Sequence, residues 1–138
     1  MNRTSREISI GPLQLGGKHP IAVQSMCATR TQDREATLRQ IRILEKAGAD
    51  LIRIAIDSEK DLEALCTLSS ETDVPLAVDL QENYRLAEKI APFVQKIRYN
   101  PGHLHHHERG RSVKEKVGWL AEQAQKNGCA LRIGVNCG

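Results

Sequence analysis

Two patterns of apolar positions alternate along this chain. Short, nearly continuous apolar runs give way to longer stretches in which apolar residues recur every third or fourth position. The first pattern marks buried strands, the second amphipathic helices. The first strand is predicted at Ile21 to Ser25, followed by a polar loop and a helix from Arg34 to Ala47. Asp33 is placed to cap that helix and Gly48 to end it, while Leu38, Ile41 and Leu44 make its buried stripe. A second strand follows at Leu51 to Ile56. Ser58 and Asp61 form a capping-box start, with Asp in the usual Glu place, to a helix carrying Leu62, Leu65 and Leu68. Then come a strand at Pro75 to Leu80, a shorter helix around Tyr84 to Ile90, and a strand at Lys96 to Asn100. Ser112 and Glu115 form a second capping box before a helix at Val113 to Asn127, closed by Gly128. The last strand is Ala130 to Asn136.

Strands separated by helices run parallel, because the chain crosses back each time. The order predicts an α/β fold of five parallel strands with four intervening helices, preceded by a hairpin from Glu7 to Leu15 that turns at Gly11-Pro12. The hairpin is placed to plug the bottom of a barrel. No glycine-rich dinucleotide loop follows the first strand, which argues against a doubly wound sheet. The spacing fits a TIM-type barrel of roughly 250 residues. Five strands cannot close one without leaving bare edges. The expectation is therefore an incomplete, truncated barrel, residues 1–138 being its N-terminal portion and the remaining strands absent.

Composition narrows the classes. The chain is 40% hydrophobic, as a globular fold requires, with no apolar stretch near the ~18–20 residues of a membrane helix and no signal-peptide core. A cytoplasmic protein is expected. The net charge is +3, but lysines and arginines are interleaved with acids, and there are only one Trp, two Tyr and one Phe. That leaves no stacking platform and no basic arm for nucleic acid. Cys27, Cys66, Cys129 and Cys137 form no CxxC pair and read as reduced thiols. Cys27 and Cys137 follow strand ends, where they read as small pocket residues; Cys66 and Cys129 read as packing thiols.

Three strands share an aliphatic–Arg–aliphatic triplet: Ile52-Arg53-Ile54, Ile97-Arg98-Tyr99 (an aromatic in third place) and Leu131-Arg132-Ile133. Alternation sends the flanking residues to the helices and the arginines into the barrel. Asp57, Asn100, Gly134 and Asn136 follow on the same face, toward the strand C-termini where barrel sites lie. Buried guanidinium groups need anionic partners. Asp57 and Asp79 are two acids for three arginines, so the balance favours a ligand with several negative charges. A planar guanidinium grips phosphate oxygens bidentately. Internal salt bridges are the competing reading. Gln24, Asp79 and Gln81 add hydrogen-bonding side chains at the same rim. The run His103-Leu104-His105-His106-His107 matches no zinc spacing and reads as a solvated loop.

The segments PIAVQSM, AGADLIRIAI, VPLAVDL, IRYNPG and LRIGVNCG, in this order and spacing, resemble the barrel of the 4-hydroxy-3-methylbut-2-enyl diphosphate synthase family of isoprenoid biosynthesis. The resemblance covers almost the whole chain. It implies reductive ring opening of 2-C-methyl-D-erythritol 2,4-cyclodiphosphate, with Arg53, Arg98, Arg132 and Asn136 holding the cyclic diphosphate. It further implies a 4Fe-4S cluster on a separate C-terminal domain, whose ligands are not among the four cysteines here. Reduced flavodoxin or ferredoxin would supply electrons, and the full-length protein would be a homodimer. The family usually reads ADIHFDYR where this chain has VDLQENYR, placing Gln81 at a histidine position. Glutamine can bond a substrate oxygen but cannot donate a proton near neutral pH. The loop after Gly102, usually Asn and Gly, is here histidine-rich. Two other readings stay open: a different phosphate-binding barrel enzyme of the pterin-synthase kind, and a non-catalytic remnant.

Overall fold

The computed structural model describes residues 4–135. It opens with an antiparallel hairpin of β1 (Ile8–Ile10) and β2 (Leu13–Leu15). Strands and helices then alternate: β3 (Gln24–Met26), α1 (Arg34–Lys46), β4 (Leu51–Ile56), α2 (Glu59–Ser70), β5 (Leu76–Leu80), α3 (Ala87–Ile90), β6 (Lys96–Tyr99), α4 (Val113–Lys126) and β7 (Ala130–Ile133). The last five strands form one parallel sheet in the order β3-β4-β5-β6-β7. Each new strand is laid beside the one before it, without the reversal that defines a doubly wound sheet. This is the winding of a barrel, here with β3 and β7 at open edges.

The helix boundaries follow from their caps. Asp33 accepts from the Ala36 N–H at 3.1 Å, and both Ser58/Asp61 and Ser112/Glu115 form reciprocal capping boxes. Gly48 closes α1 at φ +95°, a conformation that a Cβ disfavours. Leu62, Leu65 and Leu68 on α2, Ile41 on α1 and Leu120 on α4 press the helices onto Ile52, Ile54, Ile56, Val78, Leu80 and Ile97. These sheet residues are the outward set of each strand, and burying such a side chain contributes roughly 1.5–3 kcal/mol.

The inward set differs. At the N-terminal end of the strands, Ile10 of the hairpin is buried with Leu51 and Ala77, flanked by Leu13, Leu15 and Ala130. The hairpin closes the bottom of the inner face, as the chain pattern predicts. Above this apolar floor the inner face is polar.

Strand ends differ from expectation where local bonds intervene. Val23 lies outside β3: its N–H donates to the Asp50 carboxylate at 2.7 Å, and its carbonyl accepts from Asp50 and Leu51. Those bonds serve the turn into β4 rather than a ladder, so the strand predicted from Ile21 begins at Gln24. The helix expected over Tyr84 to Ile90 opens as a 3-10 turn, Tyr84–Leu86. The last strand, predicted to run to Asn136, ends at Ile133, with Gly134 and Val135 outside it; Asn136 itself lies outside the described residues. No helix among the described residues is long and apolar enough to cross a membrane.

Candidate functional site

Strand alternation carries Arg53, Asp79, Arg98 and Arg132 to the inner face, and the register sets Arg98 opposite both Asp79 and Arg132. Asp79, 6% exposed, lies between two guanidinium groups. Arg98 Nη1 donates to Asp79 Oδ1 at 2.8 Å, and Arg53 Nε stands 3.9 Å from Asp79 Oδ2. Arg53 also rests on Met26, with Nε and Nη2 at 3.2 and 3.0 Å from Sδ. Arg132, on the edge strand, is exposed and has no ion pair among the described residues. Gly134 is buried under Arg98: a Cβ at that position would stand 2.5 Å from Arg98 Nε. The glycine is what lets the guanidinium lie across this backbone.

A fourth cation joins them that the sequence reading left out. Lys96, 7% exposed, sits two residues before Arg98 on the same face of β6. Its ammonium donates to the side-chain oxygen of Gln24 on β3, across the inside of the sheet. Burial first, then the nearby Arg132 and Arg53, pull its pKa down to about 8. The available signal was the period of two from Arg98; the triplet pattern looked only at the central arginine of each strand.

Other predicted residues fall at the rim. Asn100 is buried, but its Oδ1 accepts from the Gly102 N–H at 3.0 Å and caps the 3-10 turn Pro101–His103. Gln81 is exposed and lines a rim cleft with Asp57, Glu82, Asn83, His106 and His107, apart from the arginine cluster. The Asp57 carboxyl is raised by burial and by Asp61, Asp79 and Glu82. It forms no ion pair with the strand arginines among the described residues, so Asp79 alone offsets them. Asn136 and Cys137 lie outside the described residues.

The histidine loop is built rather than loose. Fully buried Lys116 of α4 donates to the carbonyls of Leu104, at 2.6 Å, and His107. Glu108, at φ +51°, accepts from Arg85 at 2.9 Å and from the Tyr84 hydroxyl. Those bonds, Arg85 first, hold its carboxyl down at about 2.

The family model described as the GcpE TIM-barrel domain matches residues 5–138. The chain belongs to the GcpE TIM-barrel family. This GcpE barrel is 57% identical over 134 residues to the 4-hydroxy-3-methylbut-2-en-1-yl diphosphate synthase (flavodoxin) of Rhodopirellula baltica, covering 97% of this chain and 35% of that protein. It is 40% identical to the protein of that name from Pasteurella multocida, covering 99% of this chain and 35% of the relative. For the Caldanaerobacter subterraneus protein of that name the identity is 41%, over 100% of this chain and 37% of the relative. The GcpE barrel chain thus spans little more than a third of the length of these relatives. Among solved structures, a phospho-2-dehydro-3-deoxyheptonate aldolase from Thermotoga maritima is 15% identical over 97% of this chain and 47% of its own, with a TM-score of 0.49. That likeness is too slight to weigh on fold or function.

Among the described residues, the buried thiols Cys27 and Cys129 do not suit an iron–sulfur ligand set. Cys27 was expected at a pocket. Because Gln24 and Met26 face inward, Cys27 instead faces the helices, where it is 6% exposed within the apolar core. Desolvation pushes Cys27 and Cys129 up to about 11, against the thiolate form a cluster requires. Among the described residues no three His, Cys, Asp or Glu side chains are grouped to hold a metal ion.

Proposed function

We propose that this chain is the substrate-holding part of a 4-hydroxy-3-methylbut-2-en-1-yl diphosphate synthase, binding 2-C-methyl-D-erythritol 2,4-cyclodiphosphate at the polar inner face of its strands. One observation carries the reading. Among the described residues, Arg53, Lys96, Arg98 and Arg132 share that face with a single buried carboxylate, Asp79. The excess of cations calls for a ligand carrying at least two negative charges, and a cyclic diphosphate carries one on each phosphoryl group. The identity to relatives of that name supports the choice of ligand.

In this reading Arg53, Arg98 and Arg132 grip the phosphoryl oxygens, and the family resemblance assigns Asn136 to the same task. Asp79 holds Arg53 and Arg98 in place. Gln24 lies below, bonded to Lys96, while Asn100 keeps the rim turn in shape. Gln81 faces the rim, where it can orient a substrate hydroxyl without supplying a proton. The reaction is a two-electron reductive ring opening with loss of water. Its electrons come from reduced flavodoxin or ferredoxin through a 4Fe-4S cluster whose ligands are not among the described residues. The whole enzyme works as a cytoplasmic homodimer.

A competition titration tests the ligand. The chain is expected to bind the cyclodiphosphate in preference to a dihydropterin diphosphate, although the latter carries the greater negative charge. Equal or reversed preference overturns the assignment.

A further inference from the structure

Lys96 is not explained by the arginine site alone. It is a buried ammonium whose acceptor among the described residues is one neutral amide, Gln24, with no carboxylate in ion-pair range. An ammonium so placed is costly, and a fold that wanted only a strut between β6 and β3 would do better with an apolar pair. The charged groups around it are Arg53 on β4, Asp79 on β5, Arg98 on its own strand and Arg132 on β7. β3 contributes Gln24 and Met26, and the hairpin contributes Ile10, Leu13 and Leu15 from below. Lys96 therefore sits between the apolar floor and the arginine layer. Two residues along a strand rise roughly 6–7 Å, which an extended lysine stem spans. Its ammonium is within reach of an anion held by Arg98.

We propose that Lys96 is the innermost cation of the anion site, turning from Gln24 to a phosphoryl oxygen when the diphosphate binds. This rests on the proposed function above and adds to it a residue and a proton. Without ligand the ammonium titrates at about 8, because burial and two arginines disfavour its charge. A bound dianion restores the charge. Ligand binding is thus coupled to uptake of a proton: negligible at pH 7, where Lys96 already holds it, and approaching one at pH 9. Above pH 8 the affinity falls, by up to about tenfold per pH unit.

The test is calorimetric titration of the chain with the cyclodiphosphate at pH 7 and pH 9, each in two buffers of different ionisation enthalpy. The phosphoryl groups of this ligand keep their charge throughout that range, so any proton taken up belongs to the protein. The parent is expected to take up most of a proton at pH 9. Lys96→Met is expected to abolish the uptake and to weaken binding roughly 10- to 100-fold at pH 7. Lys96→Arg is expected to bind at both pH values without uptake. Gln24→Glu, which gives the lysine a carboxylate and leaves it in place, should also remove the uptake and weaken binding, and covers the case in which Lys96→Met fails to fold. If the parent binds but Lys96→Met or Gln24→Glu keeps the same affinity and the same uptake, Lys96 is a strut and the inference is wrong while the proposed function stands. If the parent does not bind the cyclodiphosphate at all, both fail together.

Discussion

The ammonium of Lys96 on β6 donates a hydrogen bond to the side chain of Gln24 on β3, passing over the two strands that lie between them in the sheet. A flat sheet would hold these residues three strand spacings apart, roughly 14 Å. The bond therefore records how far the four strands β3 to β6 have curled toward a barrel. It also places a charge where the surrounding side chains give it little support.

That charge has a consequence for stability. The folded pKa of Lys96, about 8, lies below its ordinary value of 10.5, so the unfolded chain holds the proton more tightly. The destabilisation is full below pH 8, shrinks between 8 and 10.5, and vanishes above. Lys96→Met is expected to be more stable than the parent at pH 7, by on the order of 2–3 kcal/mol. Urea denaturation at several pH values checks this: the gap should close toward pH 10.5, and a gap independent of pH contradicts it.

Asp79 is the counter-ion of the site. In Asp79→Asn, Arg53 and Arg98 keep their charges without a carboxylate between them. The variant is expected to lose about 2–4 kcal/mol of stability. Cyclodiphosphate at a hundredfold excess over the variant's own Kd should stabilise it by about 2.7 kcal/mol, offsetting most or all of that loss. Thermal melts with and without ligand measure both effects.

Gly134 owes its identity to Arg98. A methyl group in Gly134→Ala would meet the guanidinium at 2.5 Å and push it off its place beside Asp79. Binding is expected to weaken roughly tenfold, comparable to losing one charged hydrogen bond. Stability should fall by about 1–3 kcal/mol, less than in Asp79→Asn, since Arg98 is displaced from buried Asp79 while both charges remain. Isothermal titration alongside urea denaturation separates the two.

Lys116 holds the histidine loop to α4. Lys116→Met removes the donor from the Leu104 and His107 carbonyls, and a destabilisation of about 2–3 kcal/mol is expected. Hydrogen exchange should speed up over residues 103–108 while the strands stay protected. Uniform acceleration would show that the lysine supports the whole fold rather than the loop.

Much of this was legible in the chain because short-range chemistry announced it. Asp33, Ser58 and Ser112 mark helix starts by the bonds they make within three residues, and all three make them. Alternation around Arg53, Arg98 and Arg132 was enough to place them on one face. Lys96 was not found, since a lysine opening a strand reads as solvent-facing until the sheet curls and brings β3 across from β6. Asn100 was placed by the same alternation, but a local bond to the Gly102 N–H occupies its amide oxygen, a competition that Asn enters readily in turns. Cys27 was assigned from its distance to a strand end. The parity that Gln24 and Met26 impose decides its direction instead.

The central claim is that the strand arginines form a binding site rather than a self-contained ion-pair network. Affinity for 2-C-methyl-D-erythritol 2,4-cyclodiphosphate, measured for the parent chain and for Arg53→Met, Arg98→Met and Arg132→Met, tests it most directly. Each substitution is expected to weaken binding roughly 10- to 100-fold, Arg132→Met with little change in stability because that side chain is exposed and has no ion pair among the described residues. Unchanged affinity in all three variants would contradict the account.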